Sequence, residues 1–196
     1  MFDLDRFIED CRAAVCEAPT HQAARDIVAR AVADPAAVMV ALGEPRRAGI
    51  DLIYRGDDLT ILNVVWGPRM TIWPHNHLTW AVIGVYTGAE DNVYWRRISG
   101  DGRRAQIEAA GARSLRAGDV EPLGRDIVHS VLNPIPRLTG AIHVYGGDFP
   151  AIARSEWDAE TLTERPYDSD KNYRLFAEAD ARFAAAPRGT GKPAAQ

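Results

Sequence analysis

The chain has 196 residues, of which 46% are hydrophobic and 26% are charged, and its formal net charge is −4. These values are typical of a globular protein with one buried core, and they exclude a disordered, collagen-like or low-complexity chain. The negative charge argues against a nucleic acid or an anionic membrane as a partner. The longest apolar run, 36–42, is too short to span a bilayer, and the acidic N-terminus differs from a secretory signal. We therefore expect a cytoplasmic protein.

Helices are predicted throughout the first segment, residues 1–45. Apolar side chains recur at helical spacing over 4–15, and a second helix is predicted over 21–32. A third helix begins after Asp34, a good N-cap residue, and ends before Gly43. The two cysteines of the chain are too few for a disulfide scaffold or a zinc ribbon.

Short β-rich runs follow over residues 50–150, separated by turns rich in Gly, Pro, Asn and Asp, such as Gly100-Asp101-Gly102. Without interleaved helices, this pattern predicts an antiparallel sandwich or barrel rather than a Rossmann sheet. The predicted strands are 51–54, 59–65, 71–77, 81–86, 92–97, 106–109, 113–115, 126–131 and 140–145.

The remaining residues, 153–186, are predicted to form a helical extension. Ser155 is expected to cap a short helical turn that reaches Trp157, and a longer helix is expected to begin at 168–170. The small and polar tail 187–196 is predicted to be disordered. Residues 1–186 together are expected to form a single domain.

The chemistry is concentrated in the histidines of the β region. His75 and His77 form an H-x-H pair on a predicted strand, so both imidazoles leave the same face of the sheet. His129 follows about fifty residues later on another predicted strand. The spacing of the pair alone is equally compatible with two ordinary surface or core histidines.

The residues that flank these histidines resemble the two cupin motifs. The first comprises Gly67, Pro74-His75-Asn76-His77, Gly84 and Gly88, and the second comprises Gly118-Asp119-Val120-Glu121-Pro122, Gly124, His129 and Asn133. The resemblance implies an all-β core, the cupin double-stranded β-helix or jelly-roll barrel, with N-terminal helices and a C-terminal helical extension. It also implies that His75, His77 and His129 bind one metal ion.

The glutamate ligand of many cupins is missing, because Ala81 and Val82 stand where it would lie. Glu90 comes later, and we expect it to be a solvated loop residue. A three-histidine site leaves up to three positions open on an octahedral ion. Neutral imidazoles suit Fe(II), and Zn, Ni or Mn are also compatible.

The run from Ala141 to Tyr145 resembles the Ser-x-His-x-Tyr strand of the cysteine dioxygenase group of thiol dioxygenases. This resemblance implies that His143 and Tyr145 act beside the iron. The serine of the group is Ala141 here, and the cysteine that cross-links the tyrosine in mammalian enzymes falls near Val82. On the residues alone, a core tyrosine paired with a core histidine remains an alternative.

A substrate carboxylate requires a cation, and arginine supplies nearly all of the 23 basic residues. In thiol dioxygenases this arginine follows a tyrosine on an early strand, and Arg55 after Tyr54 occupies roughly that place. Arg69, Arg96 and Arg97 are rival candidates.

These observations lead to an expected function with two alternatives. The resemblance implies a mononuclear non-haem Fe(II) dioxygenase that converts a small thiol, such as cysteine, 3-mercaptopropionate or a related mercapto acid, to a sulfinate with O2. A redox-neutral metal-dependent cupin enzyme, such as an isomerase or hydrolase, is one alternative. The other is a cupin that binds a small molecule without turnover.

Overall fold

The computed structural model describes residues 2–98 and 106–185. In these ranges two antiparallel β-sheets pack against each other, with α-helices around them. The helices are α1 (Leu4–Glu17), α2 (His21–Val32), α3 (Pro35–Leu42) and α4 (Ser169–Ala185). The turn predicted at Gly100-Asp101-Gly102 and the tail 187–196 lie outside the described residues.

The strands that follow one another along the chain are divided between the two sheets. They are β1 (Gly49–Arg55), β2 (Leu59–Trp66), β3 (Thr71–Asn76), β4 (Ala81–Thr87), β5 (Ala89–Ile98), β6 (Gln106–Arg116), β7 (Val120–Leu123), β8 (Val128–Leu132), β9 (Thr139–Gly146), β10 (Ser155–Trp157) and β11 (Glu164–Pro166). The first sheet has the order β1-β2-β9-β4-β7, and the second has the order β11-β10-β3-β8-β5-β6. This arrangement is a double-stranded β-helix, as the resemblance of the two motifs implied.

Two predictions about the strands were wrong in detail. The runs 106–109 and 113–115 belong to one strand, β6, which pairs with β5 through a register shift. Strand β7, which contains Pro122, lies where no strand was predicted. A proline is tolerated there because β7 is the edge strand of its sheet, where a missing N–H breaks no ladder.

The C-terminal extension is not wholly helical. The predicted helical turn at Ser155–Trp157 is strand β10, which pairs with both β3 and β11. A three-residue segment carries no periodicity of its own, so pairing with β3 decides its conformation. The longer helix is present as α4, and its Phe176 is buried against the inner face of the barrel.

The first sheet is buried on both faces. Helices α1 to α3 cover its outer face, where Cys11 and Val28 join a cluster with Leu59 and other strand residues. Gly84 on β4 allows this contact, because a Cβ atom there would lie 2.5 Å from Cγ1 of Val28. The inner face, with part of the second sheet and α4, lines the interior of the barrel.

The predicted ends of α3 are confirmed. Asp34 Oδ1 accepts a hydrogen bond from Ala37 N at 3.1 Å, and Gly43 takes φ = 85°, which glycine adopts without strain. Across the ranges that the structure describes, none of the helices is both long and apolar enough to cross a bilayer.

Candidate metal centre

Three histidines converge inside the barrel. Strands β3 and β8 pair antiparallel with His75 opposite His129, and His77 follows directly after β3. One nitrogen from each ring lies within 4.8 Å of the others, and the Nε2 atoms of His77 and His129 are 3.3 Å apart. All three side chains are buried. The structure thus brings together the three residues that the sequence proposed as ligands.

The protonation of these rings fits a metal ion. His75 Nδ1 lies 2.9 Å from the backbone oxygen of Trp73, and His129 Nδ1 lies 2.7 Å from Asn92 Oδ1. Because both partners are acceptors, each Nδ1 carries the proton and each Nε2 keeps its lone pair. Burial lowers the pKa of His75 to about 4. Burial also holds the pKa of His77 and of His129 well below the usual value, so the rings are neutral donors.

The donor set limits the metal that can be held. Within the described ranges the group contains three imidazoles and no carboxylate. Three imidazoles suit Fe(II), Zn, Ni or Mn in place of the hard ions that prefer oxygen ligands. The residues present therefore fit a mononuclear transition-metal site.

Tyr145 and His143 lie beside this group on β9. The Tyr145 hydroxyl is 2.9 Å from His143 Nδ1, and the Tyr145 ring meets the His77 ring edge-on with centroids 5.1 Å apart. Burial raises the pKa of Tyr145, so the phenol keeps its proton. Burial lowers the pKa of His143 to about 3, so this imidazole is neutral.

The second nitrogen of His143 has no hydrogen-bond partner in the described parts of the chain. Its Nε2 atom is buried without a hydrogen bond to any described residue, in a chain that has Ala141 where the thiol dioxygenase pattern has a serine. An unpaired acceptor is easier to accommodate than an unpaired N–H, so the proton is expected on Nδ1. His143 then donates to the Tyr145 oxygen and leaves the phenolic proton free for another acceptor.

The histidines and Tyr145 open into a cavity of about 510 Å³. Its walls are largely apolar and aromatic, which is the usual composition of a small-molecule site. The sheets contribute residues such as Leu62, Trp66 and Val131, and the C-terminal segment contributes Phe149, Tyr167 and Phe176.

Arg55, the arginine predicted to bind substrate, lies at the cavity wall but already has a partner. Its Nε and Nη2 atoms donate to the two carboxylate oxygens of Asp148 at 2.8 and 3.0 Å. The rival arginines do not line the cavity. Arg69 donates to the backbone oxygen of Pro134, Arg96 pairs with Glu108, and Arg97 pairs with Glu164.

Arg154 is the cavity arginine that the sequence analysis missed. Its guanidinium carbon lies 4.2 Å from the ring centre of Phe149 and 4.1 Å from that of Tyr167. Nη1 makes one long contact of 3.4 Å with the Phe149 carbonyl, and the buried Nε atom forms no hydrogen bond with any described residue. No described carboxylate pairs with Arg154. Arg154 lines the same cavity as the candidate ligand His75, and after the effect of burial its positive charge also lowers the pKa of His75.

Backbone pairing explains how Arg154 reaches this position. Ser155 N donates to the side-chain oxygen of Asn76 at 2.9 Å, and Glu156 is the register partner of His75. Strand β10 therefore lies beside the ligand strand, and Arg154, the residue before β10, lines the cavity. No local motif marks this pairing. The signal available in the sequence was an arginine shortly after Phe149, close to the end of the last barrel strand.

Glu90 is not the solvated loop residue that was predicted. It is fully buried near the start of β5, where Trp66 Nε1 donates to Oε2 and Asn92 Nδ2 donates to Oε1, both at 2.9 Å. Burial raises the pKa of Glu90 to about 7, although both hydrogen bonds act in the opposite direction. A turn glycine before it, Gly88, made the segment look exposed, but the ladder with β6 and β8 encloses it.

Comparisons with known proteins concern the fold. No family model matches the sequence. A protein with a double-stranded β-helix domain from Klebsiella pneumoniae subsp. pneumoniae is 20% identical, with a TM-score of 0.40, over 54% of this chain and 75% of that chain. A cupin family protein from Methanocaldococcus jannaschii is 7% identical, with a TM-score of 0.44, over 55% of this chain and 87% of that chain.

An enzyme is also among the similar structures. The DMSP lyase DddQ from Ruegeria pomeroyi is 16% identical, with a TM-score of 0.42, and the match covers 55% of this chain and 50% of that chain. The two sheets of the present chain, with three histidines converging inside them, form a double-stranded β-helix with a candidate metal site.

Proposed function

We propose that the chain is a mononuclear non-haem Fe(II) dioxygenase that oxidises the sulfur of a small mercapto acid, such as cysteine or 3-mercaptopropionate, to a sulfinate. The overall reaction is R–SH + O2 → R–SO2H, in which sulfur is oxidised and receives both oxygen atoms. One observation carries the proposal: a protonated phenol and an arginine that no described carboxylate pairs with share one cavity with three neutral imidazoles.

The three histidines would hold the metal through their free nitrogens. When bound, Fe(II) supplies the electron transfer by which O2 reacts with a thiol. The surrounding apolar walls exclude water, which strengthens every polar contact made inside the cavity.

Tyr145 would act as a hydrogen-bond donor. Its raised pKa keeps the phenol protonated, and His143 holds its oxygen at 2.9 Å. Stacking on Phe149, with ring centres 3.8 Å apart, fixes the plane of the ring. The phenol can therefore donate to oxygen atoms of the substrate or product without reorganising.

Arg154 would bind the carboxylate of the substrate. A buried carboxylate needs a charged partner, and the guanidinium of Arg154 has no such partner in the described protein. Two aromatic rings hold the group in place, and its N–H donors lie in its own plane, where a carboxylate can meet them. The cavity volume of about 510 Å³ also admits mercapto acids larger than cysteine.

The test is O2 uptake by the anaerobically purified, Fe(II)-loaded protein with a panel of thiols. We expect one O2 consumed per thiol, and mass spectrometry after reaction with 18O2 should place two labelled atoms in the sulfinate. A protein that converts substrate without O2 when loaded with Zn, Mn or Ni is instead a redox-neutral cupin. A protein that binds thiols but turns none over is a binding module.

Arg154→Ala is expected to raise KM for a mercapto acid by roughly 10- to 150-fold, because about 1.5–3 kcal/mol of charged hydrogen bonding is lost. The KM for an uncharged thiol such as 2-mercaptoethanol should change little. Steady-state O2 uptake with both thiols measures the difference.

Arg55→Ala is the matched control, since Arg55 also lies at the cavity wall but is paired with Asp148. Its KM for the mercapto acid should stay near the wild-type value. The opposite pattern, a high KM for Arg55→Ala and a normal KM for Arg154→Ala, would return the anion-binding role to Arg55.

A further inference from the structure

A buried chain of hydrogen bonds leads from Trp66 to the candidate metal ligand His129. Trp66 Nε1 donates to Glu90 Oε2 and Asn92 Nδ2 donates to Glu90 Oε1, both at 2.9 Å. Asn92 Oδ1 then lies 2.7 Å from His129 Nδ1. All four side chains are buried, so these hydrogen bonds are shielded from bulk water.

In this series of hydrogen bonds, the donor and acceptor of each bond determine the donor and acceptor of the next. An indole N–H and an amide NH2 group only donate, so Glu90 must offer two accepting oxygens, as an ionised carboxylate does. With its nitrogen bound to Glu90, the Asn92 amide turns its oxygen towards His129. This oxygen accepts only from Nδ1–H, so Nε2 of His129 keeps the lone pair that a metal requires.

The charge of Glu90 has no cationic partner among the residues that the structure describes. The two other buried glutamates are paired with cations: Glu121 with Arg113, and Glu156 with Arg165 and Lys171. No described Lys, Arg or His side chain forms a salt bridge with Glu90. A buried carboxylate without a cation is costly, and a metal ion on His129 would supply the missing positive charge.

We propose that Glu90 is a positioning residue that acts through Asn92 to hold His129 in the tautomer able to bind a metal ion. The inference rests on the metal site of the proposed function but not on thiol oxidation.

Glu90→Gln tests the proposal because glutamine offers one oxygen and one NH2 group in the same shape. The Trp66 N–H donates to the oxygen of the introduced glutamine, so the glutamine NH2 group faces Asn92. The Asn92 amide then inverts to accept from that NH2 group. Its nitrogen then faces His129 Nδ1 and drives the ring proton to Nε2. We expect the affinity for Co²⁺ to fall roughly 10- to 100-fold, the usual effect of losing such a partner.

A direct readout needs no metal and no turnover. In the metal-free protein, 15N NMR of the imidazoles should show the His129 proton on Nδ1 in the wild type and on Nε2 in Glu90→Gln. A purely structural role for Glu90 would lower the melting temperature without moving this proton.

The double variant Glu90→Gln with Asn92→Asp moves the carboxylate to the next member of the hydrogen-bond series, the residue that contacts His129. The introduced glutamine can accept from Trp66 and donate to the introduced aspartate. That aspartate can in turn accept from His129 Nδ1–H, so every donor again meets an acceptor. We expect this variant to recover the Nδ1–H tautomer and wild-type Co²⁺ affinity. Glu121→Gln, which removes another buried carboxylate, should leave both properties unchanged.

The proposal is overturned if folded Glu90→Gln keeps the Nδ1–H tautomer and wild-type Co²⁺ affinity, or if the folded double variant recovers neither. If Glu90→Gln does not fold, the double variant alone decides between these outcomes. A wild-type protein that shows the Nδ1–H tautomer but binds no Co²⁺ contradicts the metal site of the proposed function. The His129 tautomers of the variants would still test the role of Glu90.

Discussion

Replacing His75, His77 or His129 by alanine is expected to abolish stoichiometric metal binding and, with it, all turnover. Each substitution removes one of three protein donors, and the described part of the chain offers no carboxylate in the group to replace it. Metal analysis after anaerobic loading with Fe(II), together with Co²⁺ titration, measures the loss.

His21→Ala is the matched control for these variants, because His21 begins α2, away from the three ligands. It should bind one metal ion per chain and react at the wild-type rate. If all three ligand variants kept full metal content and activity, the candidate metal site would be misplaced.

Tyr145→Phe is expected to lower kcat by roughly 10- to 1000-fold, the range for one positioned hydrogen-bond or proton donor. The variant keeps the aromatic ring and its stacking on Phe149, so metal content should not change. Single-turnover and steady-state O2 uptake measure the effect.

Tyr86→Phe provides the comparison, since the Tyr86 hydroxyl is also buried but donates to Asn63 Oδ1 at 2.8 Å, and Tyr86 belongs to the cluster on the outer face of the first sheet. It should cost about 1 kcal/mol of stability and leave kcat unchanged. Equal turnover in Tyr145→Phe and the wild type would make Tyr145 a core residue that merely pairs with His143.

Local signals predicted most of the fold. The helical spacing of α1, the cap at Asp34 and the glycine at 43 each depend on neighbours in the sequence, and the structure confirms them. Strands β7 and β10 were missed because their conformation depends on partners. Pro122 is acceptable only at a sheet edge, and Ser155–Trp157 is extended only because β3 lies beside it.

The same distinction applies to the site. The H-x-H pair has the two-residue period of a strand, and the structure places both rings beside His129. Arg154 and Glu90 carry no such period. Arg154 reaches the cavity because the strand that follows it, β10, pairs with β3, which is distant in the sequence. Glu90 is enclosed by neighbours from β6 and β8. Neither environment can be derived from the residues next to them.

The pairing of β10 with β3 attaches the C-terminal segment to the strand that carries His75. Ser155 donates to the residue between the two histidines of the H-x-H pair, and Glu156 lies opposite the first of them. Arg154, the residue before β10, is held between two rings next to this pairing, on the wall of the cavity that the three histidines line. If the mercapto acid of the proposed function binds the metal with one end and Arg154 with the other, this placement of Arg154 would select the length of the carbon chain between the two groups.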